Sequence, residues 1–483
     1  MLSCFFVAYL LFQFVKISFF LNNYELLFID ERIIINDIYN VWKFDDEFYR
    51  YTAVANPFLK KILVVITELA YGGDLRYGRI WSNIFIILVG PLTLISDEWV
   101  ITTVRIITIF VYFFSIQLLI NIFLNKEYRW IYSIIFYSIP GVFYFNSAPK
   151  PDPFVILFIG IAFYLIKKKR YDFSLFILGI ATGIKIVGIF ALVTVFIYLL
   201  LQRNNNLAFK NVLKMFFYSW LGVVVANPIL ILPPVSIGNL PNFYKIYYNW
   251  LSSESMVAQQ KRFSLEYFIS WSENISQRFS YGLIKNASLT LLIIFLFIYL
   301  IYFLNINKHI IYSLVTIIGL THLLFIFISV ERLWIVYLNF SFIFLFIGLL
   351  SVFDYKKNNS ILLLVFYLAI VPIGLTELLN EFDSKSSIPN DDFENVTKVI
   401  QLIEYNYHEV NNPFNIVKWD PSFGMPRNNV TYSSFFDVRE NWESDELEII
   451  LQNSDFYVSK NDLSSEFYKT FKVKDFYIYT KNS

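Results

Sequence analysis

The sequence predicts an all-α polytopic membrane protein, with about eleven transmembrane helices followed by a small extracytoplasmic α/β domain. Of its 483 residues, 57% are hydrophobic and only 16% are charged, and the mean hydropathy is +0.54. A soluble globular domain carries about 25% charged residues. Long apolar runs recur along the chain, whereas the residues after about 380 are polar.

Composition also excludes several functional classes. The net charge is only +1, so no strongly basic surface for nucleic-acid phosphates is expected. With Cys4 as the single cysteine and three histidines in all, the chain lacks the residues for a disulfide framework or a Cys/His zinc site. Any chemistry is therefore expected from carboxylates, lysines and arginines.

The predicted spans begin with Leu2–Leu21, which is long enough to cross the hydrocarbon core and is interpreted as a retained signal anchor. Further apolar runs lie near Val100–Leu124, Trp130–Phe145, Phe154–Ile166, Phe173–Leu201, Val212–Leu232, Ser288–Leu304, Ile310–Ser329, Leu333–Phe353 and Ile361–Leu378. Phe173–Leu201 is flanked by basic residues at both ends, which predicts a hairpin of two short spans with Lys185 near its outer apex.

The orientation follows from the lysines and arginines of the short loops. Twelve fall on one side: Lys126, Arg129, Lys167, Lys168, Lys169, Arg170, Arg203, Lys210, Lys214, Lys308, Lys356 and Lys357. Three fall on the other: Lys150, Lys185 and Arg332. The bias predicts a cytoplasmic N-terminus and an outer C-terminal region. A bacterial inner membrane is the expected location.

Two domains are predicted, a membrane domain over residues 1–379 and a soluble outer domain over 380–483. The membrane domain has long outer loops at 22–99 and 233–285, and within the first we expect Pro57–Tyr71 and Ile80–Ile95 to lie in the interface. In the outer domain we expect a helix at Phe393–Tyr405. Short strands are predicted at Asn415–Trp419, Phe456–Ser459 and Val473–Tyr479.

Two carboxylate groups stand at the outer ends of spans. Asp30 and Glu31 follow the first span where a loop returns to the membrane, a position from which a carboxylate can act as a general base. Asp152 follows Lys150 between two prolines at the start of a span. The structural alternatives are a solvated loop pair for the first group and a helix cap for the second.

Several cations are predicted at the same membrane face. Lys185 lies in an apolar hairpin, where an ammonium needs an anion or a carboxylate as its partner. Arg105, Arg332 and Arg79 are further candidates for clamping an anion, with headgroup anchoring or a contact to Glu331 as alternatives. Carboxylates beside several cations suit a lipid-linked phosphate as ligand.

The order of these features resembles the GT-C fold of integral-membrane glycosyltransferases, the superfamily of the protein O-mannosyltransferases and the lipid A aminoarabinose transferase, family 39-like. Asp30-Glu31 is similar to the family's Asp-Glu motif, and Lys150–Pro153 to its Arg-x-Asp step. Leu178–Lys185 is similar to its Gly-Leu-Ala-x-x-Thr-Lys stretch. Val104-Arg105-Ile106 is similar to the family's Arg-Leu entry into the second span, and Glu331–Trp334 to its Arg-Tyr-Leu-Leu-Pro segment. Each of these similarities is individually weak.

The resemblance covers most of residues 1–380 and also has departures. No Pro-Pro-Leu follows the first interfacial region, and Asn339 precedes Phe340 without the usual proline. What it implies is inverting transfer of a sugar from a polyprenyl-phosphate donor to a glycolipid, glycan or protein acceptor at the outer membrane face.

The mechanism expected on this basis assigns a role to each group. Asp30 is the base for the acceptor, with Glu31 beside it, and Asp152 orients the acceptor. The donor phosphate is expected on Lys185, Arg105, Arg332, Arg79 and Lys150. A divalent cation, Mg²⁺ or Mn²⁺ on Asp30 and Asp152, is left open as a cofactor because neither carboxylate has a histidine near it in the sequence.

Two other classes of protein stay open at this point. A transporter or lipid flippase also places lysines and arginines among its helices, although it is expected to hold them at mid-membrane depth. A polysaccharide polymerase or ligase would use the loop 233–285, with Arg262 and Arg278 in place of Asp30.

Overall fold

In the part of the chain that it describes, the computed structural model shows helices between residues 29 and 355 and a β-sheet between residues 414 and 481. It describes residues 29–42, 78–124, 128–137, 149–202, 209–228, 310–329 and 335–355, five strands between 414 and 481, and the isolated positions 8, 65, 66 and 69. Several predictions fall almost wholly or entirely outside these residues: the anchor Leu2–Leu21, the stretch Pro57–Tyr71, the loop 233–285 with Arg262 and Arg278, the helix Phe393–Tyr405, and Arg332.

Nine of the ten described helices coincide with predicted apolar runs, whereas the helix Ile29–Trp42 lies in the predicted outer loop 22–99, where no helix was predicted. They are α1 (Ile29–Trp42), α2 (Arg79–Val89), α3 (Asp97–Phe123), α4 (Arg129–Tyr137), α5 (Asp152–Lys167), α6 (Tyr171–Ile184), α7 (Ile189–Gln202), α8 (Phe209–Ala226), α9 (Ile310–Ser329) and α10 (Ile335–Tyr355). Short 3₁₀ turns extend α2 over Gly90–Leu94 and precede α7 over Ile186–Gly188.

The chain divides into two compact units. The first comprises residues 1–12, 69–81 and 107–381, and the second comprises residues 13–68, 82–106 and 382–483. The division falls inside α2 and inside α3.

One described helix, at Trp99–Phe123, is both long and apolar enough to cross a bilayer by composition alone. Shorter apolar helices lie at Arg79–Leu94, Tyr171–Ile184, Ile186–Leu201, Ser313–Ile326 and Asn339–Gly348. The total of eleven spans stays a prediction, since several of the predicted runs lie outside the described residues.

The predicted interruption of Phe173–Leu201 is confirmed, and it falls at Lys185. Helix α6 ends at Ile184, Lys185 is extended with φ −151° and ψ 136°, and the 3₁₀ turn then leads into α7. A Cβ at Gly188 would lie within 2.6 Å of the backbone of Ala181 and Thr182, so the chain folds tightly back onto the end of α6.

Helices α6 and α8 pack backbone against backbone through small residues. A Cβ on Gly179 would collide with the carbonyl of Ser219, and one on Gly222 would collide with the carbonyl of Phe176. A Cβ on Gly183 would lie 2.7 Å from that of Ala226. Glycines four residues apart let membrane helices approach closely where lipid gives no hydrophobic driving force.

Helix α5 ends in a Schellman motif that holds a lysine where glycine is usual. The amide of Lys169 donates to the carbonyl of Ile166 and that of Arg170 donates to the carbonyl of Leu165, both at 2.9 Å. Lys169 has φ 58°, in the left-handed region. A non-glycine residue in that conformation costs about 1 kcal/mol.

In the second unit, α1 and the start of α3 form a small core. Ile35, Tyr39 and Ile101 are buried together. The indole of Trp42 donates a 2.8 Å hydrogen bond to the carbonyl of Ile86. These contacts place the start of α1, which carries the acidic pair, beside the first turns of α3.

The C-terminal strands form one mixed sheet in the order β2-β1-β3-β5-β4. The strands are β1 (Phe414–Lys418), β2 (Val430–Ser434), β3 (Phe456–Ser459), β4 (Tyr468–Val473) and β5 (Phe476–Lys481). Strand β1 pairs in parallel with β2 and β3, whereas β5 pairs antiparallel with β3 and β4.

Two of the predicted strands are confirmed, at 414–418 within one residue and at 456–459. The prediction of one strand over Val473–Tyr479 is wrong, since Val473 ends β4 and pairs with Phe476, which begins β5. A run that reads as continuously β-forming is therefore divided between two antiparallel strands.

Candidate functional site

The centre of the candidate site in the first unit is the ion pair between Lys185 and Asp152. The Lys185 Nζ donates to both carboxylate oxygens, at 2.9 Å to Oδ2 and 3.1 Å to Oδ1, and the two side chains are 10% and 4% exposed. Of the alternatives for Asp152, the helix cap does not apply. Helix α5 begins at Asp152 itself, and its N-cap residue Pro151 makes no side-chain capping bond.

Local sequence fixes both partners. The carbonyl of Pro151 accepts the amides of Phe154 and Val155, which starts α5 with Asp152 in its first turn, where a negative charge is favoured by the helix dipole. Lys185 occupies the single extended residue between α6 and its 3₁₀ turn. The carboxylate and the ammonium therefore both lie at helix ends.

Two further predicted cations belong to this region. Lys150 is fully buried, and its charge acts on the Asp152 carboxylate. Arg79 is 5% exposed. Arg79 is placed by its neighbour Gly78, whose amide donates a 2.9 Å hydrogen bond to the carbonyl of Ile184, the residue before Lys185.

The contact of Gly78 with the end of α6 depends on the absence of a side chain. A Cβ at Gly78 would collide with the carbonyl of Gly183. The ring of Trp81 then lies 6.5 Å from that of Phe154, in the first turn of α5. The start of α2, the start of α5 and the end of α6 thus meet, and they bring Arg79, Asp152 and Lys185 into one region.

Although no histidine is near Asp152 in the sequence, the fold brings His322 close to it. His322, on α9, is buried close enough to Asp152 and Lys185 for both charges to act on its ring. Its Nδ1 is 2.6 Å from the hydroxyl of Ser341. The ring packs edge-on between Phe190 and Phe340, at 5.0 and 4.9 Å. Because His322 is far from Asp152 in the sequence, no local sequence pattern predicts that the two residues lie close together.

The second unit holds its own buried ion pair, between Glu31 and Arg105. The Arg105 Nε donates to Oε1 at 2.5 Å and its Nη2 donates to Oε2 at 3.0 Å, with both side chains fully buried. This bidentate geometry is the strong form of a carboxylate–guanidinium contact. Glu31 was predicted as a catalytic carboxylate and Arg105 as a phosphate ligand. In the structure the two side chains instead bind each other.

The remaining predicted residues are less defined. Asp30 lies in the first turn of α1, next to Glu31, and its side chain is outside the described residues, as is Arg332. Asn339 was noted only for the missing proline. It is 1% exposed on α10, and within the described residues neither atom of its side-chain amide has a hydrogen-bond partner. A buried amide of this kind is suited to a polar ligand.

A divalent cation does not fit the described part of this site. Both oxygens of Asp152 already accept from Lys185, and Lys150 adds a second positive charge. In the described ranges no group of three or more histidine, cysteine or acidic side chains lies together. Cations around a carboxylate disfavour a metal ion and favour an anion.

Comparison with known proteins decides the family. The sequence model of glycosyltransferase family 87 matches residues 83–325, just over half of the chain. The chain belongs to glycosyltransferase family 87. It is therefore a glycosyltransferase, and the matched region contains Arg105, Lys150, Asp152, Lys185 and His322. A comparison with curated proteins returns no match.

A solved structure supports the fold. ArnT from Cupriavidus metallidurans bound to undecaprenyl phosphate superposes with a TM-score of 0.57 over 99% of this chain and 97% of that one, at 12% identity. At this identity the likeness is one of fold. The prediction of a helical, polytopic GT-C membrane glycosyltransferase is confirmed, with family 87 in place of the family 39-like assignment.

Proposed function

We propose that this family 87 enzyme transfers a sugar from a polyprenyl-phosphate donor to a hydroxyl-bearing acceptor at the outer face of the membrane, with inversion at the anomeric carbon. The observation that carries the proposal is the gathering of Lys150, Lys185 and Arg79 about the ends of α2, α5 and α6. The undecaprenyl phosphate named with the ArnT structure adds support.

The donor phosphate is assigned to this group of cations. Inverting transfer breaks the bond between the anomeric carbon and the phosphate oxygen, so negative charge grows on the departing lipid phosphate. Cations that are already placed stabilise such charge without reorganisation, and each is worth on the order of 10²-fold in rate. Lys185 would exchange part of its contact with Asp152 for the phosphate, and Arg332 is proposed to assist.

The role of Asp152 follows from that exchange. While no donor is bound, its carboxylate holds the Lys185 ammonium in place at 2.9 Å. When a phosphate arrives, Asp152 keeps the ammonium oriented and accepts from the acceptor or the sugar. Asp152 is thus proposed to be a positioning group rather than the base.

The base is proposed to be Asp30. A neutral hydroxyl acceptor must lose a proton as it attacks, and a carboxylate at this point of the chain takes it. Glu31 is proposed to act through its bidentate contact with Arg105, which fixes the first turn of α1 and hence Asp30. Arg105 is therefore proposed to position the first turn of α1, in place of the phosphate-binding role predicted for it from the sequence.

The test is donor turnover by the purified full-length protein in nanodiscs. It would be incubated with a panel of radiolabelled polyprenyl-phosphate sugars, and release of the free carrier phosphate would be measured for the wild type and Asp30→Asn. We expect one donor to be consumed and the variant to lose about 10²-fold or more in rate. Asp172→Asn, which removes the carboxylate of a partly exposed pair with Lys214, is the matched control.

Normal turnover by Asp30→Asn would remove Asp30 from the chemistry. Failure of the wild-type protein to bind or consume any of these donors would overturn the assignment of a polyprenyl-phosphate sugar as the donor.

A further inference from the structure

A cluster of basic residues lies where α5 ends and α6 begins, away from the ends of these helices that carry Asp152 and Lys185. It has no part in the proposed reaction. It consists of Lys167, Lys168, Lys169 and Arg170, where α5 turns into α6, and Arg129 at the start of α4. We call these five residues the basic turn. The bias of lysines and arginines predicts that they face the cytoplasm.

Two of its cations are fixed in place by the backbone of α3. The Arg129 Nη2 donates to the carbonyl of Asn121 at 2.8 Å, and the Lys167 ammonium donates to the next carbonyl, that of Ile122. These carbonyls belong to the last turn of α3, which attracts positive charge. The two cations are held so close that the charge of Arg129 acts on Lys167.

The other three cations project from a strained turn. Lys168, Lys169 and Arg170 are exposed, and Lys169 takes the left-handed conformation in which glycine would be unstrained. In the described part of the chain no acidic side chain pairs with any of the three. The nearest described carboxylate along the sequence, that of Asp172, is engaged with Lys214 at 2.6 Å.

Exposed aromatic side chains border the basic turn. Trp130 and Tyr164 are each 46% exposed, and the Lys168 ammonium lies 5.7 Å from the centre of the Tyr164 ring. Indole and phenol rings favour the depth of the lipid headgroups, which places the neighbouring cations at the level of lipid phosphates.

We propose that the basic turn is a binding site for the headgroup of an acidic phospholipid in the cytoplasmic leaflet. An anion would reduce the repulsion between the positive charges of Arg129 and Lys167, which α3 holds close together. A need for positive charge at position 169 would also explain why a lysine occupies this left-handed position instead of glycine. This site is separate from the proposed donor site, so it stands whether or not the sugar donor is correctly assigned.

The experiment uses the full-length protein in nanodiscs of phosphatidylcholine with and without phosphatidylglycerol. Native mass spectrometry of the released protein measures how many phosphatidylglycerol molecules remain bound. The variants are Lys168→Gln/Lys169→Gln/Arg170→Gln and the single Lys169→Gly, and Lys210→Gln is the control that removes an exposed cation of α8. Glycerol phosphate added in solution tests for a free-phosphate site.

We expect retention of phosphatidylglycerol to fall about fivefold for each charge removed, and to weaken with salt. Lys169→Gly should also raise the melting temperature in detergent, because it relieves the left-handed residue. That combination separates the site from a structural role, in which loss of Lys169 would not alter lipid retention. Lys210→Gln should keep wild-type retention.

Wild-type retention in the triple variant, or an equal loss in Lys210→Gln, would overturn the proposal in favour of unspecific surface charge. Displacement of the bound phosphatidylglycerol by glycerol phosphate in solution would also overturn the proposal, because the site would then bind a soluble anion. A lower melting temperature in Lys169→Gly would contradict the strain on which the argument rests.

Discussion

Arg105 holds Glu31 by two parallel hydrogen bonds, Nε to Oε1 at 2.5 Å and Nη2 to Oε2 at 3.0 Å, and neither side chain is reached by solvent. The two residues are separated by 74 positions in the chain. The contact ties the start of α1 to the third turn of α3. A buried pair of this kind is costly to form and more costly to break, because either charge left alone has lost its water.

Glu31→Gln should therefore destabilise the protein by about 3–5 kcal/mol, since it leaves a buried guanidinium without its counter-charge. Thermal unfolding of the purified variant in detergent measures the effect. Lys214→Gln breaks the half-exposed pair with Asp172 and should cost about 1 kcal/mol or less. Equal shifts in the two variants would contradict the buried nature of the first pair.

Lys185→Gln should reduce glycosyl transfer by on the order of 10²-fold, because the ammonium is assigned to the leaving phosphate. The double variant Lys185→Gln/Asp152→Asn removes the charge mismatch and should recover the melting temperature without recovering the rate. Steady-state kinetics and thermal melts on the same samples make the comparison. Recovery of both by the double variant would show that the pair is only structural.

Gly222→Ala should destabilise the contact between α6 and α8 by about 1–3 kcal/mol, because the new methyl group meets the backbone carbonyl of Phe176. Gly160→Ala is the matched control. Its methyl group would approach no closer than 3.0 Å to the side chain of Leu118, which can move. Melting temperatures of the two variants should differ clearly, and equal values would argue against the close helix packing.

The predicted orientation can be checked with single cysteines in a variant whose Cys4 is replaced by serine. Lys169→Cys should react with a membrane-impermeant maleimide only from the cytoplasmic side, and Asn461→Cys only from the outer side. Labelling of intact and opened membrane vesicles distinguishes the two. Labelling of both cysteines from the same side would show that the predicted side is wrong for either the C-terminal region or the basic turn.

Features that depend on short stretches of sequence could be predicted well. The start of α5 at Asp152 follows from the flanking prolines. The interruption at Lys185 follows from one charged residue in a long apolar run with basic flanks. Strand β3 is a short β-forming run bounded by polar residues, and it lies where expected.

Features that join distant parts of the chain could not be predicted. Nothing local to Glu31 indicates Arg105, and nothing local to His322 indicates Asp152, because side-chain pairing is set by how helices pack. The division between β4 and β5 cannot be predicted locally, because aromatic and β-branched residues occur on both sides of it. Close packing of Gly179 on Gly222 depends likewise on two helices at once.

The hydrogen bond from Gly78 to Ile184 joins the start of α2 to the end of α6 through main-chain atoms alone. It demands a glycine at position 78, where a Cβ would collide with the carbonyl of Gly183, and it uses only the carbonyl of Ile184. Side chains around Lys185 and Asp152 can therefore be substituted without removing the main-chain hydrogen bond that aligns the ends of α2 and α6.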